Sequence, residues 1–224
     1  MNLYPSILTS SLIEFKKQLT WIAQSQVVEV IQIDIIDGYF ADNFTLTPSD
    51  LIQVDYGELR LDFHLMTQEP IDFVQEMVPL KEHLPVRAII AQVERMSSQG
   101  EFFQEVKKHT WKAGLSLDLY TPVEAIDPES WPELDIVQLM TIKYGFQGQE
   151  FNQNALEKIT EIRQQLINHD LEIIIDGGVK KEQLNQLLKN KIGGVTVGSG
   201  FWKSDDPVGS IIKYSQLIEQ AGTD

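Results

Sequence analysis

Short, almost unbroken runs of aliphatic residues recur along the chain, and an amphipathic stretch follows most of them. VIQIDII (30–36), RAIIAQV (87–93) and LEIIID (171–176) lack the strict alternation of a strand with one wet face. Runs of this kind suit parallel strands covered on both sides. Eight strands are expected: Tyr4 to Leu8, Val28 to Asp34, Leu59 to His64, Arg87 to Val93, Ala113 to Asp118, Asp135 to Met140, Leu171 to Asp176 and Gly194 to Val197. Helical stretches are expected over Ser11 to Ser25, Ile71 to Pro79, Glu101 to Lys108, Asn154 to Asn168, Lys180 to Lys189 and Pro207 to Gln220. In the Asn154 stretch Leu156, Ile159, Ile162 and Leu166 recur every three or four residues and make one apolar face.

Strands alternating with helices specify a parallel α/β architecture. Eight units in 224 residues leave about 28 residues each, compact but sufficient for a (β/α)8 TIM barrel. The competing doubly wound sheet lacks its G-x-G-x-x-G after the first strand. No Pro/Ser-rich linker or low-complexity stretch divides the chain, so residues 1–224 are read as a single (β/α)8 domain with an eight-stranded parallel sheet.

Composition narrows the class of function. Hydrophobic residues at 42% can build a core. With 33 acidic against 18 basic side chains the net charge is −15, which argues against nucleic acid and anionic membranes as partners. The absence of cysteine leaves His, carboxylate and amide oxygen as metal donors. No apolar run approaches the roughly 20 residues of a membrane span, and MNLYPSILTS does not read as a secretion signal, so a cytoplasmic protein is expected.

In a barrel, function gathers at the C-terminal ends of the strands. There the sequence places Gln32, Asp34, Asp37, His64, Gln92, Asp118, Met140 and Asp176. A lone Asp at such a position is more often a cap or turn former, and a lone His more often structural. The convergence of Asp34, His64 and Asp176 from three units outweighs that, since two carboxylates and an imidazole suit a divalent cation or proton transfer. His83, His109 and His169 fall in helical or loop stretches and are read as surface residues. Gly177-Gly178 and Gly198-Ser199-Gly200 occupy the usual barrel phosphate position, where backbone N–H groups bind the anion without a cationic side chain. Tyr144 to Gln149 forms a candidate lid.

Taken in order, Pro5-Ser-Ile-Leu8, IDIIDGYF (33–40), Asn43, LDFHLM (61–66), Glu69-Pro70, KAGLSLD (112–118), Thr121-Pro-Val-Glu-Ala125, GFQGQEF (145–151), IDGGV (175–179) and VGSG (197–200) resemble the ribulose-phosphate 3-epimerase family from residue 5 to about 202. The resemblance implies a metal-assisted epimerase that inverts C3 of D-ribulose 5-phosphate to give D-xylulose 5-phosphate through an enediolate. It implies Asp34 and Asp176 as the two acid/base groups, and one divalent ion (Zn, Fe, Mn or Co) on Asp34, His64 and Asp176, with Gln32 as a weak fourth ligand. Substrate and phosphate contacts fall on Ser6, Gly145, Phe146, Gly148, Gly177, Gly178, Gly198 and Ser199. Met66 and Met140 would line the pocket, and Ile36 stands where a third methionine is usual. Members of such families often self-associate, so a homo-oligomer is compatible with the resemblance.

The chain departs from the family pattern at the metal, the lid and the pocket wall. Gln32 replaces a ligating His, and an amide oxygen is the poorer zinc ligand. Gln92 replaces a second His, and Ser11 an Asp. Asp118-Leu119 replaces Asn-Pro, Tyr144 replaces the lid Pro, and Gln147 a lid Gly. These departures keep two alternatives open: a catalytically impaired sugar-phosphate-binding homologue with the ion weakly held or absent, and an epimerase of another phosphosugar such as a hexulose 6-phosphate.

Overall fold

Eight parallel strands close on themselves: β1 Asn2–Ile7, β2 Val30–Ile36, β3 Arg60–Met66, β4 Val86–Gln92, β5 Lys112–Leu117, β6 Ile136–Met140, β7 Glu172–Asp176 and β8 Gly194–Val197. A computed structural model describes residues 1–165 and 170–221. Each strand pairs in parallel with its neighbour in sequence, and β8 returns to β1 through Leu3 opposite Val195 and Pro5 opposite Val197. The architecture is the (β/α)8 barrel that the sequence predicts.

The helices are α1 Leu12–Ser25, α2 Pro70–Met77, α3 Gln99–Lys108, α4 Glu157–Gln165, α5 Lys181–Lys189, α6 Ser199–Trp202 and α7 Pro207–Ala221. Ser11 caps α1 by accepting from the Glu14 N–H, so the residue that departs from the family pattern still terminates the strand-to-helix turn. The predicted Asn154 helix begins with a tight turn over Gln153–Leu156 and buries Ile159 and Ile162 on α4, whereas Leu166, Asn168 and His169 lie outside the described residues. Units two and five pack short 3₁₀ turns in place of α-helices. Pro48 opens one, Pro122 precedes the second, and Pro128 and Pro132 lie in the third, each lacking the N–H that a longer helix uses.

Alternation along each strand sorts the core into two regions. Odd-numbered residues such as Ile31, Ile33, Phe63, Leu65, Ile89, Leu115, Val137 and Ile175 pack outward against the helical layer. Even-numbered Tyr4, Ala88, Ile90, Ile136 and Ile174 fill the barrel interior. Truncating a side chain as buried as Phe63 costs about 3–5 kcal/mol. The buried polar side chains toward the C-terminal end, Gln32, Asp34, His64, Gln92, Gln138 and Asp176, are even-numbered too. Among the described residues no helix is long and apolar enough to cross a membrane.

The N-terminal end of the barrel is closed by charge. Arg87 pairs with Asp62 through two nitrogens, its Nε at 2.8 Å from Oδ1, and reaches Glu172 at 3.4 Å. The Tyr4 hydroxyl donates to Glu172, and the guanidinium lies 5.0 Å from the Tyr4 ring centroid. Burial pushes the Asp62 carboxyl up while Arg87 pulls it back down.

Candidate active site

Asp34 and His64 stand opposite one another in the β2–β3 ladder, and Asp176 ends β7. All three are buried, and one ligand atom from each lies within 4.8 Å of the others. His64 Nδ1 is 3.1 Å from Asp34 Oδ1 and 3.6 Å from Asp176 Oδ2. Beneath them lies Gln32, one inward position below Asp34 on β2.

The exit of β2 is fixed by its own loop. Thr45 Oγ1 donates to the Asp34 carbonyl and accepts from the Ile36 N–H, while Asp37 Oδ1 accepts from the N–H groups of Tyr39 and Phe40. These short contacts hold the strand end, and with it the Asp34 side chain, in place.

Neutral amides surround the carboxylates. Gln32 Nε2 donates to Asp34 Oδ1 and Asp176 Oδ2, each at 2.8 Å, and its Oε1 accepts from Thr196 Oγ1 at 3.1 Å. Turned over, the amide would set oxygen against two carboxylates, so the hydrogen-bond network fixes nitrogen toward them. Gln138 Nε2 also donates to Asp176 Oδ2, at 2.8 Å. Gln92, with Oε1 toward His64, accepts from His64 Nε2 at 3.1 Å, and its Nε2 then donates to Glu94 at 2.8 Å. That contact places a proton on Nε2, while Nδ1 faces the carboxylates. Burial and the nearby Asp34 charge push the Asp176 carboxyl up to about 6, with His64 and Gln32 opposing.

A cavity of about 210 Å³ opens above this cluster. Ser6, Met66, Met140, Gly145, Phe146, Gly148, Gly177, Gly178, Gly198 and Ser199 all border it, together with Asp34, His64 and Asp176. Gly177 has φ +111°, and a Cβ there would collide with Ile142. The Gly177 turn therefore requires glycine, and at Gly198 a Cβ would meet the Gln147 amide and come within 2.7 Å of Ser6 Oγ, space those two side chains use. The lid rests on the β2 loop: Asn43 Nδ2 donates to the Gly145 carbonyl at 2.8 Å, and Tyr144 packs on Phe40 with ring centroids 4.5 Å apart.

Residues 2–202 match the model of the ribulose-phosphate 3 epimerase family. The chain belongs to the ribulose-phosphate 3-epimerase family. It is 30% identical to a ribulose-phosphate 3-epimerase of Bacillus subtilis (strain 168), over 90% of this chain and 92% of that one. A ribulose-phosphate 3-epimerase of Escherichia coli (strain K12) is 27% identical over 96% of this chain and 92% of its own. The 3-hexulose-6-phosphate synthase of Salmonella typhimurium superposes with a TM-score of 0.64 over 99% of this chain and 100% of that one, at 13% identity, and shares the fold.

Against the family pattern, three placements differ from the sequence reading. Gln32 turns nitrogen toward the carboxylates, where a ligating oxygen was expected, because Thr196 holds its oxygen on the other side. Asp118 follows the end of β5 and does not border the cavity: its N–H donates to Glu94, and its carbonyl accepts from Lys158. His109 is half-buried, bonded to Glu105 at 3.0 Å and packed on Trp111, whereas His83 is exposed as expected. The sequence reading also missed Gln138 and Thr196. Their signal was a polar residue at an even position within IVQLM and GVTV. Lys180 and Lys203, which border the cavity, were missed as well, whereas Gln147, which also borders it, lies in the expected lid.

Proposed function

We propose that the protein inverts C3 of D-ribulose 5-phosphate, with Asp34 and Asp176 as the two proton carriers. One carboxylate takes the C3 proton, a planar enediolate forms, and the other carboxyl returns a proton to the opposite face. The observation that carries this reading is the buried pair of carboxylates, from β2 and β7, at the floor of one cavity. In the direction where Asp34 is the base, Asp176 must enter protonated. Burial and the neighbouring Asp34 charge favour the protonated form of the Asp176 carboxyl, as that direction requires.

Asp34, His64 and Asp176 suit a divalent cation: among the described residues no Lys or Arg pairs with either carboxylate, and His64 Nδ1 faces them as a third donor atom once it carries no proton. Such an ion would stabilise the negative charge of the enediolate. Gln32 would have to withdraw its amide nitrogen to admit it. Gln92 orients His64, Gln138 steadies Asp176, and the Met66 and Met140 side chains give the flat intermediate an apolar, polarisable wall.

Proton NMR of D-ribulose 5-phosphate in D2O, with and without Zn2+, Mn2+ or Fe2+, tests the proposal. Loss of the C3 proton signal with appearance of xylulose 5-phosphate is expected. The position of the Gln32 amide favours one second reading, a sugar-phosphate binder with impaired catalysis. Absence of exchange with every ion would move the function there.

A further inference from the structure

One group at the cavity mouth has no task in the reaction just described. Gln147 Nε2, on the lid, is buried and has no hydrogen-bond partner among the described residues. Few native structures leave such a donor unmet, because it has given up water and gained nothing in return. The amide lies beside Gly198, where a Cβ would meet both it and Ser6 Oγ.

Its surroundings indicate what acceptor is missing. A Cβ on Gly148 of the same lid would come within 2.7 Å of the Lys203 ammonium. Lys180 borders the cavity as well, and among the described residues the only carboxylates lining it are Asp34 and Asp176 at the floor. The mouth of a protein with net charge −15 therefore collects donors and cations. Such a setting favours an anion with several acceptor oxygens over a neutral hydroxyl.

We infer that Gln147 is a specificity-determining residue, whose Nε2 donates to a phosphate oxygen of the substrate and thereby ties lid position to the presence of phosphate. The inference rests on the sugar-phosphate reading of the site and gives that site a side-chain donor in addition to its backbone. Lys203 adds local positive charge at the same rim.

Calorimetric titration of the full chain with inorganic phosphate and with D-ribulose 5-phosphate, on wild type, Gln147→Ala and Gln147→Glu, tests it. Loss of one hydrogen bond to a charged group should weaken both ligands about tenfold in Gln147→Ala. The fall in kcat/KM should be carried by KM, with the unfolding temperature unchanged. Gln147→Glu should weaken phosphate further, since it sets a carboxylate against the anion. Retention of binding by Gln147→Glu would mean that the partner is a sugar hydroxyl and would overturn the inference. So would unchanged binding in Gln147→Ala, tighter binding there (an amide that plugs the cradle), or a wild type that binds neither ligand. Phosphate binding that depends on Gln147 without C3 exchange would sink the epimerase reading and leave this inference standing.

Discussion

At the N-terminal end of the barrel Asp62 and Glu172 share the Arg87 guanidinium, whereas at the C-terminal end Asp34 and Asp176 share the uncharged amide of Gln32. Both pairs are shielded from water, yet only the lower one meets a permanent cation. The lower network shares one guanidinium between two carboxylates and serves the fold. The upper one is held by neutral amides, which leaves its negative charge ready for a proton or a cation. Burial alone therefore does not distinguish a structural carboxylate from a reactive one; the charge of its partner does.

The largest expected effect lies at the upper end. Asp176→Asn should lower C3 exchange by about 10²–10⁴-fold while circular dichroism stays native. Full activity in that variant would remove Asp176 from the reaction. At the lower end, Arg87→Met should cost about 3–5 kcal/mol in urea unfolding, because the buried Asp62 and the half-buried Glu172 lose their cation. Adding Asp62→Leu should recover much of that loss; if Arg87→Met is instead neutral, the two ends do not differ as argued.

A third measurement addresses the upper charge directly, in metal-free protein with chelator present. Asp176 is held near 6 in the fold against 3.8 for an ordinary Asp side chain, so between those values the folded state binds more protons than the unfolded one. Its contribution to stability therefore falls as pH rises from about 4 to about 6. The total is of the order of 2–3 kcal/mol, and Asp176→Asn should flatten that part of the profile. Parallel profiles for the two proteins would break the assignment. The smallest effect is at Gln32. Gln32→His replaces the intruding amide nitrogen with an imidazole and should tighten Zn2+ binding about tenfold in a chelator competition. Unchanged affinity would mean that the amide does not oppose the ion.

The barrel was legible because its signal is local: each unit carries an apolar run and, in most cases, an amphipathic partner. Even the two units without an α-helix announced themselves through Pro48, Pro122, Pro128 and Pro132, had their breaking of helices been weighed. Asp34, His64 and Asp176 were legible because they stand at strand ends, where a barrel collects its chemistry. The orientation of Gln32 was not, since it depends on Thr196, 164 residues further along the chain, and on the two carboxylates together. Lys180 and Lys203 look like ordinary solvated lysines next to helices, and only closure of the barrel brings them to one rim. His109 looked equally ordinary until Glu105 and Trp111 enclosed it.

Trp202 ends α6, the short helix that follows Gly198, and its indole N–H donates to the Ser6 carbonyl at 2.8 Å while its ring stacks on Trp21. The strand bearing Ser6 and the turn bearing Gly198 and Ser199 are thus joined through an intrinsic fluorophore. Occupancy at that turn should register in the emission of the native chain, so ligand binding can be followed by light without attaching a dye or altering a residue.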